Sequence, residues 1–217
     1  MPQRRLATRR FLATVLFTDI VGSTERAAQL GDRAWRDLLE RHNAVVRREL
    51  RAFGGQEMDT AGDGFFAVFE APERAVHCAE SITSAVAPLG IRVRAGVHMG
   101  ECEIVAGKVG GMAVTIGARI AALAGPGEVL VSGSVRDLMT GSDRRFEGGE
   151  AQVLKGVEDT WRVYRLVPEV ADGDAVASRR PSMVPLYTRR QRRRLAVAVA
   201  GVTVVVLTLS TAYLLRR

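Results

Sequence analysis

The sequence predicts an α+β domain in which helices pack against one sheet whose strands are mainly antiparallel. The predicted elements follow the order βααββαββαβ…β, which mixes hairpins with helical connections. Two strand-like runs within residues 56–69 are separated only by a glycine-containing turn, and such a hairpin is antiparallel. Hydrophobic residues make up 47% of the 217 residues, which is enough for the core of a domain of ordinary size.

The first half of the chain is predicted to contain a buried strand, two helices and a hairpin. After Asp32, an N-cap residue, apolar side chains recur at helical spacing until a glycine pair that begins at Gly54 ends the helix. In chain order we predict a strand at 12–17, a helix opening at 22–25, a helix at 32–53, and hairpin strands at 56–60 and 65–69.

The second half continues with helices and shorter strands. Pro72 suits the first position of a helix, and Gly125 follows the end of another. We predict a helix from Pro72, strands at 91–98 and 101–105, a helix at 114–123, and strands at 129–132, at Phe146 and at 161–166. From residue 168 the composition changes to Pro, Ala, Ser, Asp and Arg without periodicity, which is typical of a linker.

The C-terminal residues 195–215 contain no charged side chain. As a helix they would span about 30 Å, the thickness of a bilayer core, and they predict one C-terminal transmembrane helix. The chain therefore divides into a basic tail at 1–10, a globular domain at 11–167, a flexible linker at 168–194 and the transmembrane helix.

The formal charge of +7 is concentrated beside this apolar segment. The arginines before it are Arg189, Arg190, Arg192, Arg193 and Arg194, whereas only Arg216 and Arg217 follow it. This asymmetry predicts a single-pass anchor in the cytoplasmic membrane with the globular domain in the cytosol, and an arginine cluster that binds anionic lipid headgroups. The basic residues are not interleaved with aromatic ones, so no nucleic-acid partner is expected.

Two short stretches each place one aspartate where a strand meets a glycine turn. They are FTDIVGST at residues 17–24, with Asp19, and GDGFFAVF at residues 62–69, with Asp63. Two such carboxylates converging on one point form a site for a hard cation such as Mg²⁺. The first stretch also opens a helix, whose free N–H groups favour phosphate. The alternative for Asp63 is an ordinary turn residue, because Asp-Gly is a common hairpin signal.

These motifs, together with RAGVHMGE at residues 94–101 and Ala-Arg-Ile at 118–120, resemble those of class III adenylate/guanylate cyclases. The resemblance covers the globular domain. It implies a ferredoxin-like fold and a head-to-tail homodimer in which each site contains residues of both chains. It also implies a cyclase that converts ATP or GTP to a 3′,5′-cyclic nucleotide and pyrophosphate in signal transduction.

The resemblance also implies roles for particular residues. Asp19 and Asp63, with the Ile20 carbonyl, would hold two divalent metal ions, Mg²⁺ or Mn²⁺. Phosphates would be bound by the backbone of Val21, Gly22, Ser23 and Thr24, and by Lys155. Arg119 of the partner subunit would neutralise charge that develops in the transition state.

The sequence departs from the family pattern at three positions. Asp59 stands where ATP-using members carry a lysine that contacts adenine, and Lys108 stands where they carry the matching aspartate. The exchanged pair could form an ion pair across the dimer or contact the N1–H and O6 of guanine, so the purine stays open. Thr115 replaces the asparagine that orients the ribose, which predicts weak activity. The alternatives to a cyclase are a module that binds nucleotide or dimerises without catalysis, and nucleotide hydrolysis.

Overall fold

The computed structural model describes residues 9–105 and 108–168. Within these ranges eight strands form one sheet, and four α-helices accompany it. The strands are β1 Arg9–Ile20, β2 Gln56–Ala61, β3 Gly64–Phe69, β4 Val93–Val105, β5 Lys108–Gly110, β6 Val129–Ser132, β7 Phe146–Val153 and β8 Thr160–Leu166. The helices are α1 Ser23–Phe53, α2 Pro72–Val86, α3 Met112–Leu123 and α4 Gly133–Leu138.

The sheet is mixed but mainly antiparallel. Its strand order is β2-β3-β1-β4-β6-β8-β7, and β5 pairs with β4 outside this path. The pair of β4 with β6 is parallel, and the other pairs of the described sheet are antiparallel. The predicted α+β class with helices packed on an antiparallel-rich sheet is therefore confirmed.

Each face of the sheet is covered by different helices. In β1, Leu16 and Ile20 belong to the main core with α1 and α2. The alternate residues Ala13 and Val15 point to the opposite face and pack with Ala113 of α3. This separation follows from the period-two geometry of a strand, and it assigns the odd-numbered Asp19 to the α3 face.

Two glycines bring α3 very close to the sheet. A Cβ added at Gly96 of β4 would lie 2.5 Å from the Ala121 Cα, and one added at Gly117 of α3 would lie 2.5 Å from Val15 Cγ2. Side chains at either position would hold the helix away from the sheet. The position of α3, and of every residue that it carries, therefore depends on these two glycines.

The predicted boundaries differ from the structure in several places. The long helix predicted from Asp32 is the second part of α1, which starts at Ser23 and breaks at Gly31, where φ is 75°. The two strands predicted around residues 91–105 are one continuous strand, β4. The short elements β5 and α4 were not predicted, and β7 extends well beyond Phe146.

The remaining sequence predictions lie outside the described residues. They are most of the basic tail, most of the linker with its arginine cluster, and the transmembrane helix at 195–215. Among the helices of residues 9–105 and 108–168, none combines the length and apolar character needed to cross a membrane.

Candidate active site

Asp19 and Asp63 lie next to each other at one end of the strands, where β1 ends and β3 begins. We call this end of the sheet the carboxylate edge. Asp19 is the penultimate residue of β1, and Asp63 lies in the turn that joins β2 to β3. Because Thr18 of β1 is the register partner of Phe65 of β3, the turn is placed beside the end of β1. A Cβ added at Gly64, next to Asp63, would lie 3.9 Å from Asp19 Oδ1. Strand pairing alone thus brings together two carboxylates that are 44 residues apart in the sequence.

Arg94 holds the Asp19 carboxylate in place. It is the register partner of Asp19 on β4, and its Nη2 and Nε donate to Asp19 Oδ2 at 2.6 and 3.1 Å. Its Nη1 also donates to the Ala122 carbonyl near the end of α3, at 3.3 Å. Arg94 is the first residue of the motif at 94–101, but no role was predicted for it from the sequence. Its contact with Asp19 arises from strand register, which local sequence does not reveal.

The donor atoms at this edge fit a divalent cation. Asp63 Oδ2 is buried and has no hydrogen-bond partner among the described residues, a costly state that a bound cation or a hydrogen-bond donor would relieve. No group of three or more His, Cys, Asp or Glu side chains that could hold a metal occurs in the described ranges. From this edge the protein would supply two carboxylates and backbone oxygen, leaving further positions to substrate and water, as is common for Mg²⁺.

The backbone after Asp19 leads directly into α1. Ile20 is the last residue of β1, and its side chain is buried, which leaves only its backbone available to a ligand. Gly22 adopts the left-handed conformation with φ 68°, and Ser23 begins the helix. The first N–H groups of a helix have no intrahelical acceptor. Residues 22–24 therefore present N–H groups next to the carboxylate pair.

One member of the predicted phosphate cradle does not fit. The Val21 N–H donates to the Arg92 carbonyl at 2.9 Å, so it is not free to bind phosphate. The prediction for Val21 is wrong in this respect, because the antiparallel pairing of β1 with β4 continues one residue past Ile20. The cradle is reduced to the backbone of Gly22, Ser23 and Thr24.

A second set of predicted residues lies on the outer side of α3. Thr115 and Arg119 are exposed and lie one turn apart, opposite the buried helix face that packs on the sheet. Leu154 packs in one cluster with residues of α3, which places the exposed Lys155 beside this helix. Within the described chain, none of these three polar side chains forms a hydrogen bond or ion pair with Asp19 or Asp63.

Asp59 and Lys108 are also separated within one chain. Asp59 is exposed on the edge strand β2, where its Oδ1 accepts the Thr60 N–H at 2.9 Å. Lys108 is exposed at the start of β5 and is the register partner of Val105, at the far end of β4 from Arg94. At about 3.3 Å per residue, this end of β4 is roughly 35 Å from Asp19. Within one chain, Lys108 is therefore far from the carboxylate pair.

Two buried histidines near these elements were not assigned a role from the sequence. His98 on β4 contacts Ser132 Oγ through Nδ1 at 2.8 Å and lies edge-on to Trp161. Burial lowers the pKa of His98 to about 4, so it is neutral at physiological pH and is part of the core. His42 on α1 is fully buried, and burial also lowers its pKa.

The fold and the carboxylate pair beside a helix N-terminus define a domain suited to bind a metal and a phosphorylated ligand. Residues 8–167 match the adenylate and guanylate cyclase catalytic domain family. The chain therefore belongs to this family.

The chain is similar to the adenylate cyclase of Lachancea kluyveri, with 32% identity over 149 residues that cover 54% of this chain and 8% of that protein. It spans a third or less of the length of the curated relatives that it matches. Its fold is similar to that of the adenylyl cyclase CyaB from P. aeruginosa, with a TM-score of 0.69, 22% identity, and coverage of 75% of this chain and 96% of that one. A similar structure from Silicibacter pomeroyi, an adenylate/guanylate cyclase/hydrolase, has a TM-score of 0.65 and 26% identity, and the match covers 75% of this chain and 99% of that one.

Proposed function

We propose that this chain is a nucleotidyl cyclase that converts a purine nucleoside triphosphate to a 3′,5′-cyclic nucleotide and pyrophosphate, for signal transduction. The observation that carries the proposal is the placement of the Asp19 and Asp63 carboxylates side by side at the N-terminus of α1. Membership of the family supports it. The same carboxylate pair on a chain of another family would support metal binding but no particular reaction.

Asp19 and Asp63 would hold two divalent ions, Mg²⁺ or Mn²⁺, with the Ile20 carbonyl. When bound, such ions lower the pKa of the ribose 3′-hydroxyl and bind the triphosphate. Arg94 keeps the Asp19 carboxylate oriented through two hydrogen bonds from its guanidinium. The free N–H groups of residues 22–24 and the helix dipole bind phosphate oxygens.

The active unit in this proposal is a homodimer. Asp19 and Asp63 lie at the carboxylate edge, whereas Thr115, Arg119 and Lys155 are grouped around the outer side of α3. A second copy in a head-to-tail arrangement would join the two halves. Arg119 of the partner subunit would then neutralise developing charge, and Lys155 would bind the terminal phosphates.

The exposed side of α3 supports a partner on this face. Met112 and Leu123 are 58% and 46% exposed, and they occupy the same helix face as Thr115 and Arg119. Large apolar side chains on a face that also carries functional polar groups are typical of a protein interface. A second copy of the chain that docked on this face would both cover the two apolar side chains and complete the site.

The purine would be selected by Asp59 and by Lys108 of the partner subunit. A carboxylate accepts the N1–H of guanine and an ammonium donates to its O6, whereas adenine has an acceptor at N1 and a donor at its amino group. The exchanged charges therefore favour GTP over ATP. This assignment rests on the head-to-tail dimer, because within one chain Lys108 pairs with Val105 at the far end of β4, whereas Asp59 is level with Gly96 of that strand.

We further propose that residues 195–215 anchor the protein in the cytoplasmic membrane with the domain in the cytosol. The uncharged length of this segment and the arginines that precede it support the anchor. The same arginines would bind anionic lipid. A second candidate function, favoured by Thr115 at the ribose-orienting position, is a cyclase-homology module that binds nucleotide or dimerises with little or no catalysis.

The test is to incubate the purified full chain with ATP or GTP and with Mg²⁺ or Mn²⁺, and to identify products by mass spectrometry. We expect a cyclic nucleotide, more from GTP than from ATP, and none from Asp63→Ala. The matched control is Asp37→Ala, which removes an exposed carboxylate of α1 that has no role in the proposed site and should keep the activity. A folded dimer that makes no cyclic product from either nucleotide would contradict the proposal and favour the homology module.

A further inference from the structure

His42 is an unusual residue for its place in the fold. It lies on the buried side of α1 with 0% of its surface exposed, packed edge-on against the Phe65 ring at 5.8 Å between centroids. Its Nδ1 contacts the Asn43 side-chain oxygen at 3.1 Å. Its Nε2 is buried and has no hydrogen-bond partner among the described residues. If this position only needed to be filled, an apolar side chain would give a more stable fold, because it would leave no buried polar atom unpaired.

Three buried polar atoms without hydrogen-bond partners in the described residues belong to neighbours of Phe65. They are His42 Nε2, Asp63 Oδ2 and Thr18 Oγ1. Thr18 is the register partner of Phe65 across β1 and β3, and Asp63 is two residues before Phe65. Burial lowers the pKa of His42, and the Asn43 hydrogen bond and then the charge of the Asp63 carboxylate raise it. The three atoms therefore belong to residues that lie together around Phe65.

We propose that His42 is a positioning residue for Asp63: its Nε2–H donates to Asp63 Oδ2 through one water shared with Thr18 Oγ1. The other carboxylate oxygen is then directed toward the metal. This inference rests on the metal-binding role of Asp63 in the proposed function. It adds a residue from α1, on the opposite side of the sheet from α3, to the support of the site.

The protonation state of His42 agrees with this arrangement. Burial lowers the pKa of His42, so the imidazole is neutral and carries one N–H. If Nε2 carries the proton, Nδ1 is an acceptor, and the Asn43 amide satisfies it with its NH₂ group after a half turn about its last bond. Both ring nitrogens and the Asp63 oxygen are then paired.

The consequence is measurable as metal affinity. Removing a residue that hydrogen-bonds to a metal ligand typically lowers the affinity for the metal by about 10–100-fold. His42→Phe keeps the aromatic contact with Phe65 and removes both nitrogens, so we expect the Kd for Mn²⁺ to rise by at least about tenfold. His42→Gln restores a side-chain N–H and should recover part of this loss. Val46→Ala, a truncation of a fully buried residue one turn along α1, should lower stability without changing the Kd.

The experiment is a Mn²⁺ titration of the full chain without nucleotide, followed by electron paramagnetic resonance of the free ion. An unchanged Kd in His42→Phe, or an equal loss in Val46→Ala, would overturn the inference. If Asp63→Ala loses Mn²⁺ and His42→Phe does not, only the inference about His42 fails. If Asp63→Ala binds Mn²⁺ as the wild type does, or the wild type does not bind it, the metal site of the proposed function fails as well.

A second measurement on the wild-type chain covers the case in which His42→Phe does not fold. The chain has three histidines, so a ¹⁵N-histidine NMR spectrum is simple to assign. We expect the His42 ring to be neutral with its proton on Nε2. A proton on Nδ1 would overturn the inference, because Nε2 could then not donate to Asp63.

Discussion

Gly96→Ala tests whether the close contact between α3 and the sheet positions the outer half of the site. A Cβ at Gly96 would lie 2.5 Å from the Ala121 Cα, whereas ordinary contacts begin near 3.4 Å. The neighbouring atoms are backbone, so no side-chain rotation relieves the clash, and α3 must move outward by about 1 Å. Overpacking of this kind costs about 1–3 kcal/mol, which for a domain of this size lowers Tm by about 2–12 °C.

The same movement should reduce activity, because α3 carries Thr115 and Arg119. A displacement of about 1 Å at a catalytic group can cost about 100-fold in rate. The assay is thermal unfolding by circular dichroism together with kcat for cyclic-nucleotide formation. Gly110→Ala is the matched control, since nothing described lies within 4 Å of a Cβ at that position. A Gly96→Ala protein with the Tm and kcat of the Gly110→Ala protein would refute this reasoning.

Three further predictions concern Thr115, the Asp59 and Lys108 pair, and His98. Thr115→Asn should raise kcat by up to about 100-fold with little change in KM, because it restores an amide that acts in the transition state; an unchanged kcat would contradict this. Exchanging both charges, with Asp59→Lys and Lys108→Asp, should move the kcat/KM preference from GTP toward ATP, while either single exchange should weaken both. Because the pKa of His98 is lowered to about 4 in the folded protein, the unfolded chain binds a proton first as the pH falls, so stability should decrease by about 2 kcal/mol between pH 7 and pH 5. The free energy of unfolding, measured with urea, should depend less on pH in His98→Gln than in the wild type. An equal dependence in the two proteins would exclude His98 as the cause.

The sequence predicted those parts of the fold that depend on local patterns. The apolar run that ends at Asp19, the Asp-Gly turn at Asp63 and the long amphipathic helix after Gly31 each have a period or turn residue that identifies them. Only Phe146 of the edge strand β7 was predicted, because Gly148 and Gly149 interrupt the alternating pattern of that strand. The strand β5 was missed because it is only three residues long.

The site was predictable as a set of residue types but not as a set of contacts. Arg94 contacts Asp19 because of the register of β1 with β4, and His42 reaches the neighbourhood of Asp63 because α1 packs behind the hairpin. The hydrogen bond that occupies the Val21 N–H also arises from strand pairing. Such contacts join distant parts of the chain, and no local pattern specifies them.

The most direct test of the account is to restore activity from two inactive variants. Asp63→Ala removes a metal ligand from one half of the site, and Arg119→Ala removes the cation from the other half. In a mixed head-to-tail dimer one site carries both defects and the other carries neither. Co-expression in equal amounts should therefore give about a quarter of the wild-type cyclic-nucleotide production, although each variant alone gives none. A folded, co-purified mixture as inactive as its components would contradict the shared-site cyclase.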